Sequence, residues 1–228
     1  GEPLVVRTAE PKGNRAVLVH PVIRRSTNIT LDNLDIISDS NLRDNAIDID
    51  NGVGSRNLEG LGTDWNCASI SAEDNNINAN IVIKNCEIVS YGFTCVHVSA
   101  YNGITFENNE FKAMYDFEEA DKLWKDQGAG ITWADNTANW GASAKFLNSK
   151  NISFIRNNFT GQHATSILLQ GTQKVLIYDN VFWHDNGVNT DANTVAIIRL
   201  ISFGDCAGDN PLQDIGIYYN TMFLKDNN

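Results

Sequence analysis

Positive charge is scarce in this chain: 17 lysines and arginines stand against 28 aspartates and glutamates, for a net charge of −11. A nucleic-acid reader needs a basic footprint, so that class is excluded, and a polyanion would need a local basic patch or a bridging cation. Long apolar runs are also missing. None approaches the ~18 residues of a membrane span, and no membrane insertion is expected. Proline is rare, at 4 residues, and charged residues make up only 20% against 42% apolar. That balance excludes disorder and coiled coil and leaves enough apolar surface for a continuous core. The four cysteines, Cys67, Cys86, Cys95 and Cys206, lack C-x-x-C spacing, so they do not read as a metal site. Buried thiols fit them better than one or two disulfides, because free Cys packs as a small apolar residue. A signal-peptide pattern is absent as well. The chain opens at Gly1-Glu2-Pro3 without a Met, which fits a processed or excised piece of a longer protein.

What the chain has instead is asparagine and repetition. Six segments align: Ile29–Ile36, Ile81–Ile88, Ile104–Phe111, Ile152–Phe159, Val175–Phe182 and Ile215–Met222. Each carries apolar residues at its first and third places, a polar corner, and an apolar residue at its eighth. Period-2 alternation makes each piece a half-buried strand that turns a corner into the next. The sixth place is Asn109, Asn157, Asn180 and Asn220 in the last four segments, while Leu34 and Cys86 hold it in the first two. A stacked Asn can bond backbone groups of the turns above and below it, where no water reaches. Two pairs of segments start roughly 23 residues apart, and self-similarity at such a period is the mark of a solenoid.

A second strand series precedes the first. It reads Val17–His20, Ile47–Asp50, Val96–Ser99, Ile131–Ala134, Ile167–Gln170 and Ile198–Ile201. The expected fold is therefore all-β, a single domain over 1–228 with about six coils. The pattern resembles the right-handed parallel β-helix, the pectin-lyase-like family, over nearly the whole chain. That resemblance implies a secreted or cell-surface protein acting on polysaccharide. The family's catalytic motifs are not present. The Gly-His-Gly and Arg-Ile-Lys triplets of polygalacturonases are missing, as are the Trp-Ile-Asp-His run and paired arginines of pectate lyases, so no residue's role carries over by match.

Insertions at 51–79, 135–150 and 203–213 follow the second-series strands, and insertions at 113–128 and 184–194 precede them. Both sets border one sheet, which makes it the floor of a groove walled by loops. Within 113–128, Asp116 and Glu119 form a capping box, and Phe117, Ala120, Leu123 and Trp124 share a face. This predicts one short surface helix ending near Gly128. Trp65, Trp124 and Trp140 lie in the wall loops, either stacking on sugar rings or pinning the loops down. The oxygen-rich run His184–Asp191 lacks regular calcium-loop spacing, so it reads as a turn; no cofactor or metal is expected, and Ca²⁺ has no support.

Alternation sorts the floor residues. One outward row reads Leu18, Asp48, His97, Thr132, Leu168, Arg199, and the next reads His20, Asp50, Ser99, Ala134, Gln170, Ile201. Asp48 and His97 would stand on adjacent coils ~4.8 Å apart, and Asp48 and Asp50 on one strand ~6.6 Å apart. That second spacing suits a glycosidase carboxylate pair, ~5–9.5 Å. The expected activity is thus polysaccharide hydrolysis, with Asp48 and Asp50 as the acid/base or nucleophile pair and His97 tuning Asp48. Arg199, Gln170, His20 and the three tryptophans would bind the polymer. A β-eliminating lyase with His97 as base is the sibling reading. A non-catalytic glycan-binding, adhesin or structural segment is the alternative.

Overall fold

A computed structural model describes residues 2–9, 14–38, 46–50, 78–90, 94–113, 142–161, 165–185, 196–201 and 211–225. The first three strands are β1 (Leu4–Arg7), β2 (Ala16–Val19) and β3 (Val22–Arg24). The next rounds are β4 (Ile29–Asp32), β5 (Leu34–Ile37), β6 (Ile47–Asp50), then β7 (Asn78–Lys84), β8 (Glu87–Ser90), β9 (Val96–Ser99). They continue as β10 (Asn102–Glu107), β11 (Glu110–Ala113), β12 (Ala142–Leu147), β13 (Lys150–Ile155), β14 (Asn158–Gly161) and β15 (Thr165–Gln170). The last are β16 (Gln173–Tyr178), β17 (Val181–Asp185), β18 (Ala196–Ile201), β19 (Gln213–Tyr218) and β20 (Thr221–Lys225).

Every third strand pairs in parallel with its counterpart in the next round. This gives a seven-stranded sheet A from β1 to β19, a seven-stranded sheet B from β2 to β20, and a six-stranded sheet C from β3 to β18. The chain visits A, B and C in turn, an arrangement compatible with a β-helix solenoid. Among the described residues there is no helix. The predicted helix in 113–128 and the loop tryptophans lie outside the described residues.

The turns explain why these residues stack. The A-to-B corner is made by a residue in the left-handed backbone region, occupied in successive rounds by Asn33, Asn85, Asn108, Arg156, Asp179 and Tyr219. Asn and Asp tolerate this region better than other side chains, which is one reason for their abundance. The next residue is the predicted ladder position. The Oδ1 of Asn157 accepts from the backbone N–H of Asn109 at 2.9 Å and from its Nδ2 at 3.0 Å. Its own Nδ2 donates to the carbonyl of Phe106 and to Asn180 Oδ1, both at 3.0 Å. Asn180 repeats this toward Asn220 at 2.9 Å. The ladder ends at Cys86, whose N–H donates to Asn109 Oδ1 at 3.0 Å and whose thiol donates to the Lys84 carbonyl at 3.1 Å.

Inside the tube, like residues stack on like. Phe111, Phe159 and Phe182 form a pile with ring centroids 4.5 and 4.8 Å apart, and Phe106 stacks on Phe154 at 5.1 Å with Phe146 meeting Phe154 edge-on. Parallel strands repeat at about 4.8 Å, so residues in one inward row are already at ring-stacking distance.

Two strands differ from the sequence reading. Val17–Val19 belongs to β2 of sheet B, paired with Leu34–Ile37, and not to the second series. Val17 and Val19 are exposed while Leu18 packs against the core, so the parity is reversed. The sheet C strand of that round is β3, with Val22 opposite Asp48 and Arg24 opposite Asp50. Likewise the sheet C strand paired with β9 and β15 is β12, not Ile131–Ala134, which lies outside the described residues. The 135–150 stretch therefore holds a strand of sheet C. The long connections that remain, 51–77, 114–141, 186–195 and 202–212, all join a sheet C strand to its neighbour.

Cys86 and Cys95 are free and buried; Cys67 and Cys206 lie outside the described residues. Desolvation by burial pushes the Cys86 thiol up to about 11 and the Cys95 thiol to about 12. Unfolded, both would ionise near 9.0. Their contribution to stability is fully present below that pH and is lost as pH rises toward the folded values. Iodoacetamide at mildly alkaline pH is expected to leave both thiols unmodified in the native protein and to label both in urea. Labelling of Cys95 without denaturant would contradict this packing.

Asn157→Ala is expected to cost about 2–4 kcal/mol, because it strands the buried N–H of Asn109 and the carbonyl of Phe106. Urea denaturation measures it; a loss below about 0.5 kcal/mol, typical of a surface change, would show that the ladder is dispensable.

Candidate active site

Ile47 and Ile49 on β6, and Val96 and Val98 on β9, are fully buried in the core. Alternation therefore turns Asp48 and His97 to the other side of sheet C. Parallel pairing puts them directly opposite one another, and His97 Nδ1 lies 3.2 Å from Asp48 Oδ1. The other carboxylate oxygen is engaged from the preceding round. His20 follows β2 at a left-handed corner, φ 43°, where its N–H donates to the Ile37 carbonyl at 2.9 Å. From there its ring reaches across so that Nε2 lies 3.0 Å from Asp48 Oδ2. One carboxylate is thus held between two imidazoles, the three side chains coming from three successive rounds.

The cluster is enclosed. The side chains of Asp48 and His97 are each 9% exposed and that of His20 is 19% exposed, so solvent reaches the site mainly on the His20 side. Leu168, in the same row, is buried. The row was expected to lie open as a groove floor; at Asp48 and His97 it is covered. A carboxyl group held this far from water needs hydrogen-bonding partners, and the two imidazoles are among them.

Pairing fixes two rows of register positions along sheet C. The first runs Val22, Asp48, His97, Lys145, Leu168, Arg199, and the second Arg24, Asp50, Ser99, Leu147, Gln170, Ile201. Asp50 shares the strand of Asp48 and holds the position opposite Arg24 and Ser99. Arg199 is in the Asp48 row, three strands beyond His97, about 14 Å along the sheet. Gln170 is in the Asp50 row and half-buried. Trp65, Trp124 and Trp140 lie outside the described residues. Sequence reasoning placed Leu18 and Thr132 where Val22 and Lys145 stand, and His20 and Ala134 where Arg24 and Leu147 stand. Two basic residues, Arg24 and Lys145, were therefore missed. A sequence signal for them exists: Ile23, Val98, Phe146 and Leu169 each precede the first inward residue of the following sheet A strand by the same interval, and the outward neighbours follow from that.

The contact through Nδ1 sets the chemistry of His97. When Nδ1–H faces the carboxylate, Nε2 carries the lone pair and is the ring's basic nitrogen. Asp48 then orients the ring and stabilises the imidazolium that forms when Nε2 takes a proton, the role a buried Asp plays toward a catalytic His. Among the described residues no three His, Cys, Asp or Glu side chains converge as metal ligands would. No family model, no curated protein and no solved structure matches this chain.

Proposed function

We propose that the protein is a right-handed parallel β-helix of pectin-lyase-like type, secreted or displayed at the cell surface, that cleaves a polysaccharide lying along sheet C. The observation that carries the reading is the Asp48 carboxylate held at 3.0 and 3.2 Å by His20 and His97. An aspartate with both oxygens engaged is poorly placed to attack a sugar carbon or to deliver a proton itself. It is well placed to keep an imidazole basic, and general base catalysis by such a group is worth about 10²–10⁴-fold.

A base of this kind suits β-elimination from a uronate-bearing chain. His97 Nε2 takes the proton next to the sugar carboxylate, the bond to the leaving glycosidic oxygen breaks, a carbon–carbon double bond forms, and the leaving oxygen is protonated. The step needs positive charge near the sugar carboxylate. The two rows supply basic residue types at Lys145, beside His97, and at Arg24 and Arg199. This supports elimination more strongly than a floor with Arg199 alone would. Hydrolysis by Asp48 and Asp50 is the second reading; it draws on their Cα spacing of about 6.6 Å along one strand, and the engagement of both Asp48 oxygens counts against it.

A panel of neutral and uronate polysaccharides, followed by ultraviolet absorbance and by reducing-end release, separates these. Elimination predicts both signals on uronate polymers, with His97→Ala reducing turnover by about 10²–10⁴-fold while polymer binding persists. Reducing ends without absorbance would favour the carboxylate pair. Binding without either signal would leave a glycan-binding module, and no binding would sink the carbohydrate reading.

A further inference from the structure

We propose that the aromatic ridge where sheet A turns into sheet B, in the last two rounds, binds an uncharged polysaccharide. The ridge consists of Tyr178, Val181 and Trp183 in one round and Tyr218, Tyr219 and Phe223 in the next. It lies at the corner that sheet C does not form, and it does not depend on the cleavage reading above.

The rows themselves mark this ridge. Along sheet A one outward row runs Asp32, Lys84, Glu107, Ile155, Tyr178, Tyr218. Along sheet B the first outward row begins Asp35, Glu87, Glu110, Asn158, Val181. In the earlier rounds these rows carry charges that are paired within the protein. Lys84 meets Asp32 at 3.7 Å, Arg15 meets Asp35 at 3.3 Å, Lys112 meets Glu87 at 3.0 Å, and Arg156 pairs with Glu107. In the last two rounds the same faces turn aromatic and apolar. Missing cover at the end of the tube does not account for the exposure. β16 and β17 have paired strands on both sides, yet Tyr178, Val181 and Trp183 are 37%, 38% and 48% exposed. A contiguous exposed patch of this kind marks an interaction site.

The rings are set for stacking. Tyr218 is laid down along β19, where a Cβ added at Gly216 would stand 2.5 Å from its Cε2. Glycine is what leaves the ring that place. Tyr219 meets Tyr178 edge-on at 5.7 Å, and Trp183 and Phe223 lie 5.1 Å apart. Among the described residues none of the three tyrosine hydroxyls holds a hydrogen bond within the protein, so each can serve a sugar hydroxyl.

Charge and area choose the occupant. None of the six side chains is charged, and Asp179 stands exposed at the corner between Tyr178 and Val181. An anionic polymer would be repelled there. Five aromatic side chains at about half exposure offer roughly 500 Å², whereas a stable contact between two protein copies needs about 800 Å² from each. The ridge falls short of that. Pyranose rings need far less, because their C–H faces stack on single aromatic faces, and strands repeating at about 4.8 Å offer one ring after another.

The test is native electrophoresis of the intact protein through gels containing hydroxyethylcellulose, galactomannan or polygalacturonate, beside a sugar-free gel. Retardation by a neutral polymer is expected. Tyr219→Asn and Trp183→Ala should each weaken that affinity about 3–10-fold, and together they should abolish the retardation. Tyr219→Asn adds no backbone strain, because Asn33, Asn85 and Asn108 hold the same left-handed corner in earlier rounds. Gly216→Ala keeps every ring but displaces Tyr218, and it should weaken binding too. Should Trp183→Ala fail to fold, the other two variants decide. No retardation by either neutral polymer, or retardation that these substitutions leave unchanged, would overturn the proposal. So would substitutions that relieve retardation by polygalacturonate alone, or a dimer in sedimentation that Tyr219→Asn dissociates. A protein that cleaves no polymer yet is held through the ridge upholds this inference and rejects the cleavage reading.

Discussion

Register between stacked strands is the constraint on which this molecule depends, and the corners hold it. A left-handed residue turns the chain out of sheet A, and the side chain that follows locks the corner to its neighbours with hydrogen bonds both along the ladder and to the backbone. A parallel sheet by itself specifies pairing weakly, since a slip of two residues keeps every apolar side chain inward. The buried amides of Asn109, Asn157 and Asn180 remove that freedom, because a slipped round would leave them and the N–H groups they serve without partners. The phenylalanine piles reinforce the same alignment from within the tube.

Given that alignment, chemistry follows from neighbours in rows. Asp48 and His97 are far apart along the chain and adjacent in space only because β6 and β9 pair without offset. The same pairing carries Lys145 next to His97 and Arg24 opposite Asp50. Three of the 17 lysines and arginines, Arg24, Lys145 and Arg199, hold positions in these rows, beside Asp48 and Asp50. Charge composition speaks of the whole chain, whereas a row on a stacked sheet is a local quantity.

Much of the fold was legible in the sequence because sheet A announces itself. Its strands combine period-2 alternation, a left-handed corner and a ladder residue at fixed places, and all six segments read from the sequence lie where expected, with β1 as a further strand before them. Sheet C was harder for a physical reason. Its strands are flanked by the long connections, so the interval from sheet B is variable and alternation has to stand alone. Alternation cannot tell which sheet a strand joins, nor which parity is inward when outer residues are apolar too, as Val17 and Val19 are. Ile131–Ala134 alternates as well as Ala142–Leu147 does; the constant interval to the following sheet A strand is what separates them. The Asp48–His97 pair was readable from alternation, whereas the arrival of His20 from a corner was not, since no periodicity describes where a turn residue points.

The cluster of His20, Asp48 and His97 draws one side chain from each of three consecutive windings. No single repeat contains the cluster, and no pair of repeats completes it. During synthesis the cluster can form only once all three of those windings have emerged and stacked on one another.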